Sequence, residues 1–396
     1  MAPPALAVVT GADHPTGLGA GRALHQAGAR VVGVTTSPSA PACSSRIWQP
    51  LHHLPAGPGL DWIDALAELG RTLEQPAFLQ PTQDHVVEEL SRRRDELLVS
   101  YRFVLPPHDI VQTFLDKTLF ASWAKQFDLP LPATRIVQTD QELRQAARDM
   151  PCPLILKPLY RTPAWNRFSP VDKVIRLDSA TDLDRIPFDL FAAASRLVIS
   201  QWIEGPDDAV HYCLAYCARP GEMTAWFTGR KLLQYPRQTG STAICVGSDN
   251  GEVRELAAET FRLARFEGIG SVECKYGPDN RPYITEPTVG RPNLQSSSAV
   301  RAGRNLQACA MAHALSLEWR DAARLKNCCW IEENAVLELA TSRSRQPVPW
   351  GLLGRETLRA RRIAGAYWTW WDPSPAVSML RARTKRAFRR LGRGLS

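Results

Sequence analysis

Only eight of the 48 basic residues in this 396-residue chain are lysines; the rest are arginines. Where arginine is so strongly preferred, a lysine inside an apolar strand marks a need for a compact ammonium rather than a forked guanidinium. Lys157, within Leu154-Ile155-Leu156-Lys157-Pro158, is one. Its burial is costly unless the ammonium meets an anion or snorkels to solvent. Lys117 follows Asp116 at a helix start, and Lys231 lies beside Arg230 in a strand-like run. Two carboxylates, Glu273 and Glu286, flank a turn signal at Pro278-Asp279-Asn280. If their segments pair as one hairpin the acids face each other and repel, so they need a metal ion or a cation between them. Lys275, on the same strand face as Glu273, is the cation the bare chain offers. Phosphate-binding cations, hard oxygen ligands for a divalent metal and a polar strand edge for a base are together what a nucleoside triphosphate requires.

The elements that must position these residues fall into four stretches. Residues 1–108 alternate strand and helix, beginning with the buried-strand run Leu6–Val9, a glycine-containing loop, a helix from Ala20 and a second strand from Arg30 to Thr35. The spacing Gly11…Gly17-Leu18-Gly19, broken by Pro15, is too loose for a dinucleotide fingerprint, and no carboxylate ends the second strand. Short-chain dehydrogenase chemistry is excluded as well, because Leu105 stands where the lysine after Tyr101 would have to be. Residues 109–205 read as two helices, a proline stop and strands. Residues 206–325 add long strands, a mobile loop in "QYPRQTGS", a helix and the glutamate hairpin. Residues 326–396 read as an extension ending in a basic tail.

The net charge of +8 is local: seven cations and no acid follow Val377, and the remainder stands near +1. That excludes a DNA-binding body and places any basic contact in the tail 377–396. Nine cysteines at irregular spacing, with no CxxC pair, predict small core residues in a reducing compartment. With 44% hydrophobic residues and no apolar stretch of membrane-spanning length, the expectation is a soluble, cytoplasmic protein. Four aromatics, Tyr367, Trp368, Trp370 and Trp371, precede the tail, so contact with an inner membrane face or an acidic partner is a further expectation.

In their order and spacing these motifs resemble the ATP-grasp superfamily of carboxylate–amine and carboxylate–thiol ligases, in the branch of carbamoyl-phosphate synthetase large chains and D-aspartate ligase. The resemblance runs from residue 5 to about 320. It implies an α/β fold: a Rossmann-like pre-ATP-grasp domain that helps bind the acid or acceptor, a two-lobed ATP-grasp fold and a short C-terminal extension. It implies ATP and Mg²⁺ (or Mn²⁺) as cofactors, a small carboxylate and a small amine as substrates, an acyl-phosphate intermediate, and a homodimer through the first domain. Residue by residue, "LDKTLF" matches the segment whose Lys117 approaches the phosphates, and "LILKP" the strand whose Lys157 contacts the α- and β-phosphates. "ISQWIEG" resembles the adenine hinge, with Gln201, Ile203 and Glu204, and Asp208 or Asp207 as ribose carboxylate. "GRKLLQYPRQTGS" looks like the strand and loop over the γ-phosphate, with Lys231 or Arg230 as its cation. "SVECKYG" and "ITEPTVGRPN" resemble the metal-binding strands carrying Glu273 and Glu286, and Arg291 matches the arginine that steadies the acyl phosphate. The family's second metal strand commonly reads Glu-x-Asn-Pro-Arg. Here Thr288 takes the asparagine position, with Asn293 as a stand-in from the following loop. That departure motivates the alternative of a catalytically weakened ATP-binding scaffold.

Overall fold

The computed structural model describes residues 4–54, 61–158, 164–165, 174–186, 189–322, 327–341, 348–360 and 362–393. The expected boundary at 325/326, the end of "LILKPLYR" and residues 394–396 of the tail lie outside these. The first domain is a parallel sheet of β1 (Leu6–Thr10), β2 (Arg30–Thr35), β3 (Trp48–His53), β4 (Ala77–Gln80) and β5 (Tyr101–Arg102), ordered β3-β2-β1-β4-β5. Every residue of β1 is buried, which is why it reads as an unbroken apolar run. The glycine loop joins β1 to the helix Pro15–Gln26, with Pro15 at its first turn. A Cβ on Gly17 would stand 2.0 Å from the Gly11 carbonyl oxygen, one on Gly19 2.7 Å from Ser297 Oγ, and one on Gly21 2.6 Å from Trp48. These glycines bring the helix against its own loop, the neighbouring strand and the following lobe.

Two further sheets follow. The small lobe is a four-stranded antiparallel sheet of β6 (Thr134–Val137), β7 (Leu154–Pro158), β8 (Ile175–Leu177) and β9 (Leu197–Gln201), ordered β6-β9-β7-β8. The large lobe is built on β10 (Val210–Arg219), β11 (Glu222–Tyr235), β12 (Ser241–Gly247), β13 (Gly268–Tyr276), β14 (Pro282–Val289), β15 (Cys328–Ile331) and β16 (Arg362–Gly365). Their order is β14-β13-β10-β11-β12-β15-β16. One face of this sheet packs Cys213, Ala215, Val272 and Cys274 against Val253, Ala257 and Phe261 of the helix Gly251–Leu263. The other face meets the first domain and the helix Leu306–Ala314 through Tyr212, Leu214 and Tyr216. All nine cysteines are free thiols, and burial raises the pKa of most of them.

The stretch after residue 325 is built into the large lobe, because β15 pairs with β12 and β16 runs parallel to β15. Its continuation is clamped to the first domain. Asp372, fully enclosed, accepts from Arg22 Nε and Nη2 at 3.0 and 2.8 Å and from Ser45 Oγ at 2.5 Å. Arg22 also donates to the Ala366, Tyr367 and Asp372 carbonyls. Trp371 stacks on His25 with ring centroids 5.8 Å apart. Beyond it the helix Ser374–Arg393 carries the basic tail. No helix among the described residues is long and apolar enough to cross a membrane.

Candidate nucleotide site

Glu273 and Glu286 are directly opposed across β13 and β14, and only a β-bulge makes them so. Near the turn the register pairs Lys275 with Tyr283 and Cys274 with Ile284. Past the bulge it pairs Glu273 with Glu286 and Ser271 with Thr288. The extra residue is Thr285. Without it, strict alternation would set Glu273 opposite Thr285 and turn Glu286 to the other face. Glu286 is exposed, while Glu273 is half-buried and receives Lys231 Nζ at 2.8 Å. The cation expected from Lys275 therefore comes from Lys231, two strands away on the same face. Thr288, buried, follows on the Glu286 side of β14, and Asn293 reaches the same edge, where its Oδ1 accepts from Ser271 Oγ at 2.8 Å. An amide oxygen thus stands on the strand edge that carries Thr288.

Three more lysines converge here. Lys157, in β7 of the small lobe, has its pKa pushed down to about 8, first by burial and then by Lys117, with Glu286 opposing. The two ammoniums are thus close enough to repel, and one of them is desolvated. Lys117 is the exposed first residue of the helix Lys117–Gln126, whose N-cap Asp116 accepts from Thr118 N and Leu119 N. Lys275 lies with its ammonium 4.3 Å from the Trp202 ring centre, and burial brings it too to about 8. Arg176 lies over the same ring at 5.7 Å and pairs with Glu204 at 3.2 Å. Of the chain's eight lysines, Lys231 thus meets Glu273 and Lys157 lies near Glu286, with Lys117 beside Lys157 and Lys275 beside Lys231. Lys275 and Trp202 are the members that motif matching underweights, and lysine scarcity was the available signal for Lys275.

The hinge expected at Gln201–Glu204 joins β9 to β10. Gln201 N donates to Ala133 O at 2.8 Å, Ile203 is buried, and Glu204 is exposed beside Arg176. Asp207 is 2% exposed and does not face this crevice as a free ribose carboxylate. It accepts from Gln234 N at 3.1 Å, Arg237 Nε at 2.5 Å and Gln238 N at 2.8 Å, so it folds the Tyr235–Gly240 loop onto the hinge. The loop read as mobile is therefore anchored at its middle. Asp207→Asn is expected to raise tryptic cleavage after Arg237 at least about tenfold, equivalent to ~1.4 kcal/mol of local opening free energy. Unchanged cleavage would remove the anchoring role.

Other expected residues are engaged elsewhere. Arg230 alternates with Lys231 on β11, so it points to the opposite face. There it meets Asp208 at 3.3 Å and Glu356 at 3.5 Å. Arg291 leaves the end of β14 for the first domain and forks onto Asp84 at 2.5 and 3.0 Å, near His14, whose pKa is lowered first by burial and further by Arg291. It thus sits at the C-terminal edge of the parallel sheet, where β1 and β4 diverge, the usual place for a ligand crevice in such folds.

No family model matches the chain. It is 21% identical over 210 residues to the D-aspartate ligase of Enterococcus faecium (strain Aus0004), a match covering 50% of this chain and 49% of that protein. The chain therefore spans about half the length of this curated relative. Among solved structures it resembles the phosphoribosylglycinamide synthetase of Anaerococcus prevotii, with a TM-score of 0.59, 14% identity and coverage of 82% of this chain and 79% of that one. The ADP complex of Staphylococcus aureus N5-carboxyaminoimidazole synthetase gives 0.60, 13%, 82% and 80%. The biotin carboxylase domain of Hydrogenobacter thermophilus 2-oxoglutarate carboxylase, solved with MgADP, ADP and bicarbonate, gives 0.62, 13%, 83% and 74%. The chain shares the fold of these enzymes: a parallel first domain, a small antiparallel lobe and a large mixed sheet.

Proposed function

We propose that the protein is an ADP-forming carboxylate–amine ligase. The observation that carries this reading is the opposed pair Glu273 and Glu286, with Lys231 on Glu273, Lys157 of the small lobe near Glu286, Lys117 beside Lys157 and Lys275 beside Lys231. The donor set suits a divalent cation such as Mg²⁺ or Mn²⁺: two carboxylates face each other, with the Asn293 amide oxygen alongside. Bound there, the ion would supply charge neutralisation on the phosphate oxygens. The residues of the chain do the rest. Lys157 and Lys117 hold the phosphates, Lys231 moves from Glu273 toward the γ-phosphate, and the Gln201–Glu204 edge with the Trp202 ring takes the base.

The reaction this arrangement serves has two steps. An oxygen of the substrate carboxylate attacks the γ-phosphorus as the bond to the ADP oxygen breaks, giving an acyl phosphate. The amine nitrogen then attacks the acyl carbon, loses its proton, and phosphate leaves with the former acyl oxygen. Arg291, once freed from Asp84, stands at the border between nucleotide site and first domain, where the acyl phosphate would need a cation. The first domain would hold the acid or acceptor, and a homodimer through it is part of the same reading.

The test is ADP release with Mg-ATP across pooled carboxylates crossed with pooled amines. Turnover confined to wells holding both, and lost in Glu286→Ala, is the expected result; AMP release would reject the class. A second reading, an ATP-binding scaffold, is motivated by Thr288 and by the Lys231–Glu273 pair, which satisfies the acid without a metal. It requires nucleotide affinity that does not change with added Mg²⁺, which calorimetry separates from the ligase.

Affinity for ATP should also fall with rising pH. Lys157 and Lys275 have pKa values of about 8, and phosphates bind their protonated forms. Binding is therefore strongest below pH 8 and weakens above it, by up to about tenfold per unit for each lysine that titrates. Binding near pH 8.5 should take up protons, measurable by calorimetry in buffers of different ionisation enthalpy. A flat profile from pH 7 to 9.5 would show that neither ammonium contacts the nucleotide.

A further inference from the structure

We propose that the turn 367–372 and the outer face of the helix Ser374–Arg393 form a docking surface for the anionic face of a lipid bilayer. The turn is held from both sides. Glu333 accepts from Tyr367 N and Trp368 N, and Arg22 and Asp372 clamp the remaining backbone to the first domain. Within this frame Trp371 faces inward onto His25, whereas Trp368 and Trp370 point outward, 54% and 79% exposed. Two tryptophans fixed in water by a buried ion pair are not a frayed end. Rigid indoles presented outward are groups that settle at the headgroup level of a bilayer.

The helix starts two residues after the turn. It buries Ala376 and Met379 and leaves Val377, Leu380, Arg381, Thr384 and Lys385 exposed, residues that recur at helical spacing on one side. Arg383 turns inward to Glu338 at 2.6 Å, so among the described side chains the cations of the outer side without an ion pair are Arg381 and Lys385. Nearby acids among the described residues are already engaged: Glu332, buried, with Ala335 N, Glu333 with the turn, Glu338 with Arg383, and Asp372 with Arg22. The surface therefore combines aromatic and aliphatic groups with unopposed positive charge, the two signals that together hold a protein on an anionic membrane. RNA would meet the cations and stack on the indoles but has no use for Val377 and Leu380. An acidic polypeptide would leave the indoles in water.

The experiment is co-sedimentation of the full chain with vesicles of phosphatidylcholine, and of phosphatidylcholine with about one-third phosphatidylglycerol. Binding at least about tenfold tighter to the anionic vesicles, weakened by added salt, is expected. Trp368→Ser with Trp370→Ser should reduce it about tenfold or more and abolish the blue shift of tryptophan emission on binding. Arg381→Gln with Lys385→Gln should reduce anionic binding by about 25-fold, about fivefold per cation, and leave the neutral-vesicle signal unchanged. All four positions are exposed, so the variants should keep the parental melting profile. Absence of vesicle binding, binding insensitive to the tryptophan pair, or tighter retention on RNA or polyglutamate than on the anionic vesicles would each overturn the proposal. None of these outcomes depends on nucleotide binding.

Discussion

Asp372→Ala is expected to lower the unfolding free energy by about 3–5 kcal/mol, the loss typical when one partner of a buried ion pair is removed. The geometry explains the size. Arg22 and Asp372 are 8% and 0% exposed at the side chain and 2.8 Å apart. Burial alone lowers the Arg22 pKa, and Asp372 is the main group that raises it again. Without the carboxylate, the guanidinium keeps its three carbonyls but stands uncompensated in a closed site. Ser45 Oγ and Arg46 N lose their acceptor at the same time. A few kcal/mol is a large share of the ~5–15 kcal/mol that stabilises a typical domain. Asp372→Asn keeps acceptor oxygen at the site and should lose less. The double change Arg22→Met with Asp372→Leu should recover most of the deficit, because it leaves no unpaired charge. The check is the urea midpoint of the three variants at fixed salt. A shift below about 1 kcal/mol for Asp372→Ala would mean that residues 366–376 are not docked on the first domain in solution.

Lys157→Met should move function and stability in opposite directions. Nucleotide-dependent turnover is expected to fall by about 10²–10³, the usual consequence of deleting one preorganised charge from a phosphate or oxyanion site. Stability should hold or rise, because the lysine is desolvated and faces Lys117. Linkage fixes the sign: with a folded pKa of about 8 against 10.5 for the free side chain, the protonated ammonium opposes folding. That opposition is complete below pH 8 and fades as pH rises from 8 toward 10.5. The gain from Lys157→Met should accordingly be largest at neutral pH and smaller near pH 10. Paired measurements of ATP affinity and urea midpoint decide the matter. A variant that loses stability and keeps affinity would make Lys157 a structural residue whose stem packs the small lobe.

Several parts of this arrangement were legible because they depend on short stretches of chain. The parallel first sheet follows from β1 and β2 being apolar on both faces. Lys117 and Lys157 sit at the positions their local motifs indicate, one opening a helix and one inside a short strand. Glu273 and Glu286 were legible as hairpin partners because a Pro-Asp-Asn turn lies between them. Lysine scarcity singled out Lys157, whose side chain is desolvated near Lys117 and Glu286.

What only the tertiary structure decided is register, facing and distant pairing. The bulge at Thr285 sets whether Glu286 faces Glu273 or turns away, and a one-residue slip carries almost no local signature. Arg230 and Lys231 read alike in the sequence until the alternation of β11 sent one to Asp208 and Glu356 and the other to Glu273. Asp207 and Asp208 likewise looked alike, yet one is buried beneath the Tyr235–Gly240 loop because Arg237 lies within its reach. Arg291 met Asp84, 207 residues earlier in the chain, and the segment after 325 became two strands and a clamp through Arg22, 350 residues from Asp372. Local sequence determines which residues can form strands and helices and which charges are rare. Which charge meets which is settled by packing, where burial makes each unpaired ion too costly to leave without its partner.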